Sequence, residues 1–279
     1  METSKVWFVT GASKGLGLAL VKKLLQEGYR VGATSRNKES LTREVGGTSS
    51  DFLPLNVDVN DEAAVKSAID ETISHFGGID VVVNNAGYGQ IGTLEELTDQ
   101  EARTNFEANV FGLVHVIRHV MPHFRSKKGG YVLNVSSVGG FTGAFPGWGI
   151  YAATKFAVAG LTEAFAAEVA GFGVRATVVY PGYFKTNFLQ SDSLRTAATP
   201  IADYKEAREL EAIHQNQIAG NQPGSPEKAA EVFIRLAEMP QPPLHFFMGS
   251  DSVKMAQGKI ELLQKELTEN EALSRSTDF

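Results

Sequence analysis

At 279 residues the chain is too long for a small stapled scaffold and short for two ordinary domains, so one α/β domain with appendages is expected. Hydrophobic residues make up 43% and charged residues 21%, which allows a large core and excludes wholesale disorder; the net charge of -6 argues against a nucleic-acid-binding surface. With no cysteine, disulfides, thiol nucleophiles, iron–sulfur clusters and Cys-ligated zinc are excluded.

The amino terminus runs from Met1-Glu2-Thr3-Ser4-Lys5 directly into Val6-Trp7-Phe8-Val9, too short an apolar run for a signal peptide. No stretch of about 18 consecutive apolar residues follows. A cytoplasmic, soluble protein is the expectation. Along the chain, short β-branched runs at residues 6–10, 29–34, 52–57, 79–83, 131–136, 174–180 and 244–248 read as strands. Helical spacing fills the intervals at 16–27, 61–76, 102–125, 151–171 and 226–238. Continuously apolar strands alternating with helices predict a Rossmann-type, doubly wound parallel sheet of about seven strands with helices on both faces. The whole of 1–279 reads as one such domain. Two segments break the alternation. Residues 187–225 carry Pro200, Gly220, Pro223 and Gly224 around a helical stretch at 202–217, and read as a lid over substrate. Residues 250–273 read as a charged helix supported by Glu261, Lys265 and Glu269, within a C-terminal extension at 250–279.

The first strand ends in Thr10-Gly11-Ala12-Ser13-Lys14-Gly15-Leu16-Gly17 and opens a helix. Gly11 suits the tight turn, Gly15 a close backbone approach to a pyrophosphate and Gly17 close helix–sheet packing. The helix N-terminus presents free N–H groups and a positive dipole end to an anion. Later come Asn84-Asn85-Ala86-Gly87 after the fourth strand, Asn109 in the following helix, Ser136-Ser137 after the fifth strand, Tyr151-Ala152-Ala153-Thr154-Lys155, and Pro181-Gly182 after the sixth. Any one of these is a weak signal. In this order they resemble the short-chain dehydrogenase/reductase family, in its single-domain TGxxxGxG and YxxxK branch, over about residues 5–250. The chain continuing past Gly249-Ser250-Asp251 is similar to the hydroxysteroid-dehydrogenase-like bacterial reductases of that family.

The resemblance implies an oxidoreductase that transfers hydride between a nicotinamide cofactor and a carbonyl or alcohol. It assigns cofactor binding to Gly11, Ser13, Lys14, Gly15, Leu16, Gly17, Ser35, Arg36, Asp58, Val59, Asn85, Ala86, Gly87, Tyr151, Lys155, Pro181, Gly182, Phe184 and Thr186. Tyr151 is then the acid–base, Ser137 the hydroxyl that polarises the carbonyl, Lys155 the partner of both Tyr151 and the cofactor ribose, and Asn109 part of a proton relay. Physically, a phenol with a reference pKa of about 10 needs its ionised form stabilised to serve at neutral pH. An ammonium one helical turn away supplies that in principle. The spacing from Ser137 to Tyr151 exceeds the family's usual interval by one residue, which bears on the shape of the loop at 139–149.

The second strand ends Val31-Gly32-Ala33-Thr34-Ser35-Arg36. An NAD-specific site needs a carboxylate there; Ser35 is neutral, and Arg36 and Lys14 offer cations to a 2′-phosphate, so NADP(H) is the expected cofactor. Phe141, Phe145, Trp148, Tyr183, Phe184, Phe188 and Leu189 suggest an apolar pocket for a bulky hydrophobic carbonyl, with Ser137, Phe145, Tyr183 and Phe188 as substrate contacts. Two other readings stay open: an NAD-dependent alcohol or hydroxysteroid oxidation, and a cofactor-sensing regulator without turnover. His115, His119 and His123 share helical spacing, but Pro122 is expected to disturb the helix, so a surface or interface stripe is preferred to a metal site. Expected partners are a small-molecule substrate and other copies of the chain, as a homodimer or homotetramer, with no nucleic acid and no membrane.

Overall fold

The computed structural model describes residues 5–189 and 193–279. Gln190, Ser191 and Asp192, inside the expected lid, lie outside the described residues, as do residues 1–4. Seven strands form one sheet: β1 (Val6–Val9), β2 (Arg30–Ser35), β3 (Phe52–Asn56), β4 (Val81–Asn84), β6 (Gly130–Val135), β7 (Val174–Pro181) and β9 (His245–Met248). Their order is β3-β2-β1-β4-β6-β7-β9 and every neighbouring pair is parallel. Two short strands, β5 (Gly89–Ile91) and β8 (Leu194–Thr196), pair separately.

The strands are largely apolar because both faces are covered. Trp7 and Val9 join Leu20, Val21 and Leu24 of α1 (Gly15–Gln26) and Phe233 and Ile234 of α8 (Pro226–Glu238). Val6 and Phe8 face the other way, onto Ile69 of α3 (Glu62–Phe76), Val120 and Phe124 of α5 (Gly112–Lys127) and Phe165 of α6 (Gly149–Val169). Pro54 is tolerated because β3 is an edge strand. Local chemistry sets the helix ends. Asp61 accepts from the Ala64 N–H, Thr98 and Glu101 form a capping box on α4 (Asp99–Phe106), and Gly77 closes α3 in a left-handed conformation.

The expected helix over 102–125 is instead α4, a π-helical turn at Glu107–Phe111, and α5. Pro122 does not break α5, which runs on to Lys127, although it removes one backbone N–H. Nor are the three histidines a surface stripe. His115 Nδ1 donates to the Val59 carbonyl, His119 meets Glu62 at 3.0 Å, and His123 Nε2 accepts from the Ile79 N–H. The rings engage partners on neighbouring elements, and His115 and His119 both reach Glu62. Helix α2 (Lys38–Val45) and the β5–β8 pair were not anticipated. The stretch 193–224 holds β8, α7 (Lys205–Ile213) and a π-helical turn at His214–Ile218. The terminal helix α9 (Ser250–Arg275) forms as expected; Lys265 pairs with Glu269 at 3.8 Å, while Glu261 has no ion pair among the described residues.

A buried amide chain ties β4, β6 and α6 beneath the site. Asn84 Nδ2 donates to Asn134 Oδ1 at 2.8 Å, and Asn134 Nδ2 donates to Thr162 Oγ1 at 2.9 Å. Asn134→Ala strands the Asn84 donor in the core, so a loss of roughly 1–3 kcal/mol is expected. Urea unfolding measures it, and a midpoint equal to the parent's would mean the chain contributes nothing.

Candidate active site

The chain winds outward one way through β1, β2 and β3, then crosses back to β4 and continues the other way. Loops leaving the C-terminal ends of β1 and β4 therefore part, and a ligand-sized crevice opens there. A cavity of ≈ 330 Å³ lies at this edge of the sheet. All but Gly17 and Asn109 of the residues predicted for the site line it.

The glycine loop forms its floor. Gly11 has φ +66, and a Cβ there would sit 2.7 Å from the Ala86 backbone. Gly15 has φ +59, and a Cβ there would touch the Thr186 side chain at 3.7 Å. Gly17 is explained differently from the expectation: a Cβ would meet Asn85 Nδ2 and the Gly11 carbonyl at 2.6 Å, so the residue makes room for a loop amide, not for the sheet. Asn85 Nδ2 donates to the Thr10 and Gly11 carbonyls, and Thr10 Oγ1 accepts from the N–H groups of Asn85 and Ala86. Helix α1 has no side-chain N-cap and no acidic residue in its first turn. Beside it, Ser35 Oγ accepts from the Asn37 N–H, Arg36 is exposed without an ion pair among the described residues, and Asp58 accepts from the Asn60 N–H.

Tyr151 and Lys155 lie one turn apart at the start of α6 and are 8% and 5% exposed. Lys155 Nζ sits 5.8 Å from the centroid of the Tyr151 ring and donates to the Val135 carbonyl at 3.1 Å. Burial raises the Tyr151 phenol to about 12; a hydrogen bond with Ser137 partly opposes this. Burial lowers the Lys155 ammonium to about 8. The expected depression of Tyr151 by Lys155 is therefore not met by the protein's own groups, because desolvation outweighs the opposing hydrogen bond with Ser137. Ser137 follows β6, and its Oγ accepts from the Gly139 N–H.

Asn109 stands behind the cavity, in the π-helical turn. Its carboxamide accepts from the Tyr88 N–H and donates to the Tyr88 carbonyl and Thr154 Oγ1. Of the aromatic cluster expected around the pocket, Phe141 departs: it packs edge-on against Tyr180 and Phe247. The cavity also takes in Tyr88, Thr104, Arg195, His214 and Gln222, none of which sequence reasoning named. His214 is carried in by α7 from far along the chain, and no local motif marks it.

The family model for short chain dehydrogenases matches residues 5–196. This chain is a short-chain dehydrogenase. The dehydrogenase is 36% identical over 262 residues to an oxidoreductase named BOA17 from Botryotinia fuckeliana, covering 93% of this chain and 94% of the relative. A short-chain dehydrogenase structure from Streptomyces avermitilis superposes with a TM-score of 0.91 at 35% identity, covering 100% of both chains. Another, from Burkholderia cenocepacia in complex with NADP, gives a TM-score of 0.74 at 26% identity, covering 96% of this chain and 98% of that one. The dehydrogenase is thus an oxidoreductase with the family's doubly wound fold. Among the described residues no helix is long and apolar enough to cross a membrane.

Burial of Lys155 has a measurable cost whose sign follows from its protons. The unfolded side chain keeps its proton up to about 10.5, whereas the folded one releases it near 8. Between these values the unfolded chain binds more protons, so stability rises with pH. Lys155→Met should be more stable than the parent at pH 7 by up to about 3 kcal/mol. That gap should close as pH climbs past 8 toward 10.5, read by denaturant unfolding of both proteins. A gap independent of pH would show that Lys155 titrates as an ordinary lysine.

Proposed function

We propose that this protein is an NADP(H)-dependent reductase of a bulky, hydrophobic ketone or aldehyde. One observation carries the reading: Ser137, Tyr151 and Lys155 line the same cavity as the glycine loop, Arg36 and Thr186. The residues fit a dinucleotide. The uncapped α1 N-terminus and the positive φ of Gly11 and Gly15 suit a pyrophosphate, with Ser13, Lys14 and Leu16 around it. Asp58, Val59, Asn85, Ala86 and Gly87 would flank the adenosine, and Pro181, Gly182, Phe184 and Thr186 the nicotinamide. Neutral Ser35 leaves room for a 2′-phosphate, and Arg36 supplies planar donors for it. The NADP found in the Burkholderia cenocepacia structure is in keeping with this choice.

Bound there, the reduced cofactor would supply hydride to the carbonyl carbon. The chain's own task is the oxygen. The Ser137 hydroxyl would donate to it and hold its lone pairs toward Tyr151, whose O–H would deliver the proton as negative charge develops. The high proton affinity of Tyr151 keeps the phenol protonated, the form reduction needs. Lys155, held by the Val135 carbonyl, would hold the ribose hydroxyls and share charge with the phenol once the proton leaves. Asn109 acts on this array through Tyr88 and Thr154. Phe145, Trp148, Phe188 and Leu189 would enclose the apolar body of the substrate, and the segment at 193–224 would cover it as a lid.

NADPH oxidation with a panel of aryl ketones and aldehydes tests the reading. Tyr151→Phe should abolish turnover while NADPH binding survives; turnover within about tenfold of the parent would remove Tyr151 from proton transfer. For the cofactor, Arg36→Ala should raise KM for NADPH about ten- to a hundredfold and leave NADH nearly unchanged. Ser35→Asp should reverse the preference, since it adds repulsion as well as a ribose acceptor. A parent that prefers NADH defeats the NADP(H) assignment.

A further inference from the structure

Two polar side chains in the cavity have no part in the proton transfer just described. Tyr183 follows β7, and its backbone N–H is pinned by Asp251 Oδ2 at 2.6 Å, in the first turn of α9. His214 comes from the opposite side, at the start of the π-helical turn, and is 3% exposed. The Tyr183 hydroxyl and His214 Nε2 lie 2.9 Å apart. The His214 ring packs on Trp148 with centroids 4.9 Å apart, and Trp148 packs on Tyr151 at 5.5 Å. The pair therefore stands one aromatic ring away from the reacting phenol.

Its protons can be assigned. His214 Nδ1 is 2.8 Å from the Leu210 carbonyl, which can only accept, so Nδ1 carries the hydrogen. Burial lowers the His214 pKa, so the ring is neutral and Nε2 is an acceptor. The Tyr183 O–H must then donate to Nε2. Burial, followed by the charge of Asp251, raises the Tyr183 pKa, so this residue stays a phenol. Its one proton is spent on His214, and among the described residues nothing else bonds to its oxygen. What Tyr183 offers the cavity is a lone pair.

We propose that the Tyr183–His214 pair is an acceptor subsite that selects carbonyl substrates bearing a hydroxyl or amino group away from the reacting carbon. This rests on the reductase reading and narrows its substrate class to hydroxy- or amino-substituted ketones with an apolar body. A substrate with a donor fills the lone pair. One without a donor leaves it dry, and an ether brings a second acceptor against it. Sites built to pair a hydroxyl discriminate strongly against its absence, unlike apolar pockets.

The test uses phenyl alkyl ketones carrying a hydroxyl, an amino group, a methoxy group or hydrogen, at the meta or para ring position or at the end of the alkyl chain. Binding to the NADP⁺-loaded protein is measured by calorimetry, and kcat/KM with NADPH in parallel. In the parent, the best hydroxyl or amino member should bind at least about tenfold tighter than its methoxy and unsubstituted counterparts. Tyr183→Phe should erase that ratio. His214→Phe should shift it toward the methoxy member, because the freed Tyr183 O–H then donates into the cavity. Absence of any preference in the parent, failure of every ketone to bind, or a ratio that survives in Tyr183→Phe would overturn the subsite. If the preference holds while no ketone oxidises NADPH, the subsite stands and the reductase reading falls.

Discussion

Four hydrogen bonds between Thr10-Gly11 and Asn85-Ala86 hold the molecule's working edge together. The reversal of winding between β1 and β4 separates the loops that leave these strands, and without cross-links they would splay. Thr10 and Asn85 sew them at the base while leaving the mouth open. Glycine is required where it falls for the same reason. Any side chain at 11 or 17 would occupy the space of Ala86 or of the Asn85 amide, so the stitch dictates the loop's composition before a ligand is considered. Once the stitch is made, the start of α1 opens on the gap with no side-chain capping bond to its N–H groups.

A second constraint acts through burial. Tyr151 and Lys155 are interior residues at the start of a long helix, where desolvation pushes the phenol up and the ammonium down. Both shifts favour the neutral forms, so the protein alone stores a protonated phenol beside a reluctant cation. Such a pair responds strongly to any charge placed next to it, since little water screens the cavity. The buried amides Asn84 and Asn134 and the hydroxyl of Thr162 lock the strands to α6, and Asn109 locks Thr154 from the other side. The helix that carries the phenol is thus held at two points along its length, once to the sheet and once to the turn that carries Asn109.

Much of this was legible in the sequence, and the reason is locality. All seven strands of the main sheet announce themselves, because a strand buried on both faces is apolar at most of its positions. The site motifs sit at strand ends, where glycine, asparagine and serine have few other reasons to cluster. Features settled by distant partners were opaque. The β5–β8 pair exists because two three-residue segments, some hundred positions apart, meet (Gly89 opposite Leu194), and neither is long enough to signal a strand. The histidines of α5 had the spacing of a metal site, yet each was claimed by a backbone or carboxylate group on neighbouring elements. His214 was invisible for the same reason: its significance comes entirely from Tyr183 and Trp148.

The segment at 193–224 illustrates how one buried charge can organise a long connection. Glu96 is 4% exposed, and desolvation pushes its carboxyl up, but hydrogen bonds from Thr93 and Ile201 and the charge of Arg208 prevail and hold it below the usual range. Its two oxygens accept from the N–H groups of Thr93 and Ile201 and from Arg208 Nη2. A carboxylate so committed cannot release one partner without stranding charge in the interior, which is costly. The start of the segment at 201–208 is therefore docked firmly, and Tyr204 adds a bond to Glu95. Farther along, α7 leads to His214, whose tie to the body is the single hydrogen bond to Tyr183 together with ring contacts. Both ends of this stretch are therefore docked, the first by a buried carboxylate and the second by buried rings and the apolar side chains of Leu210 and Ile218.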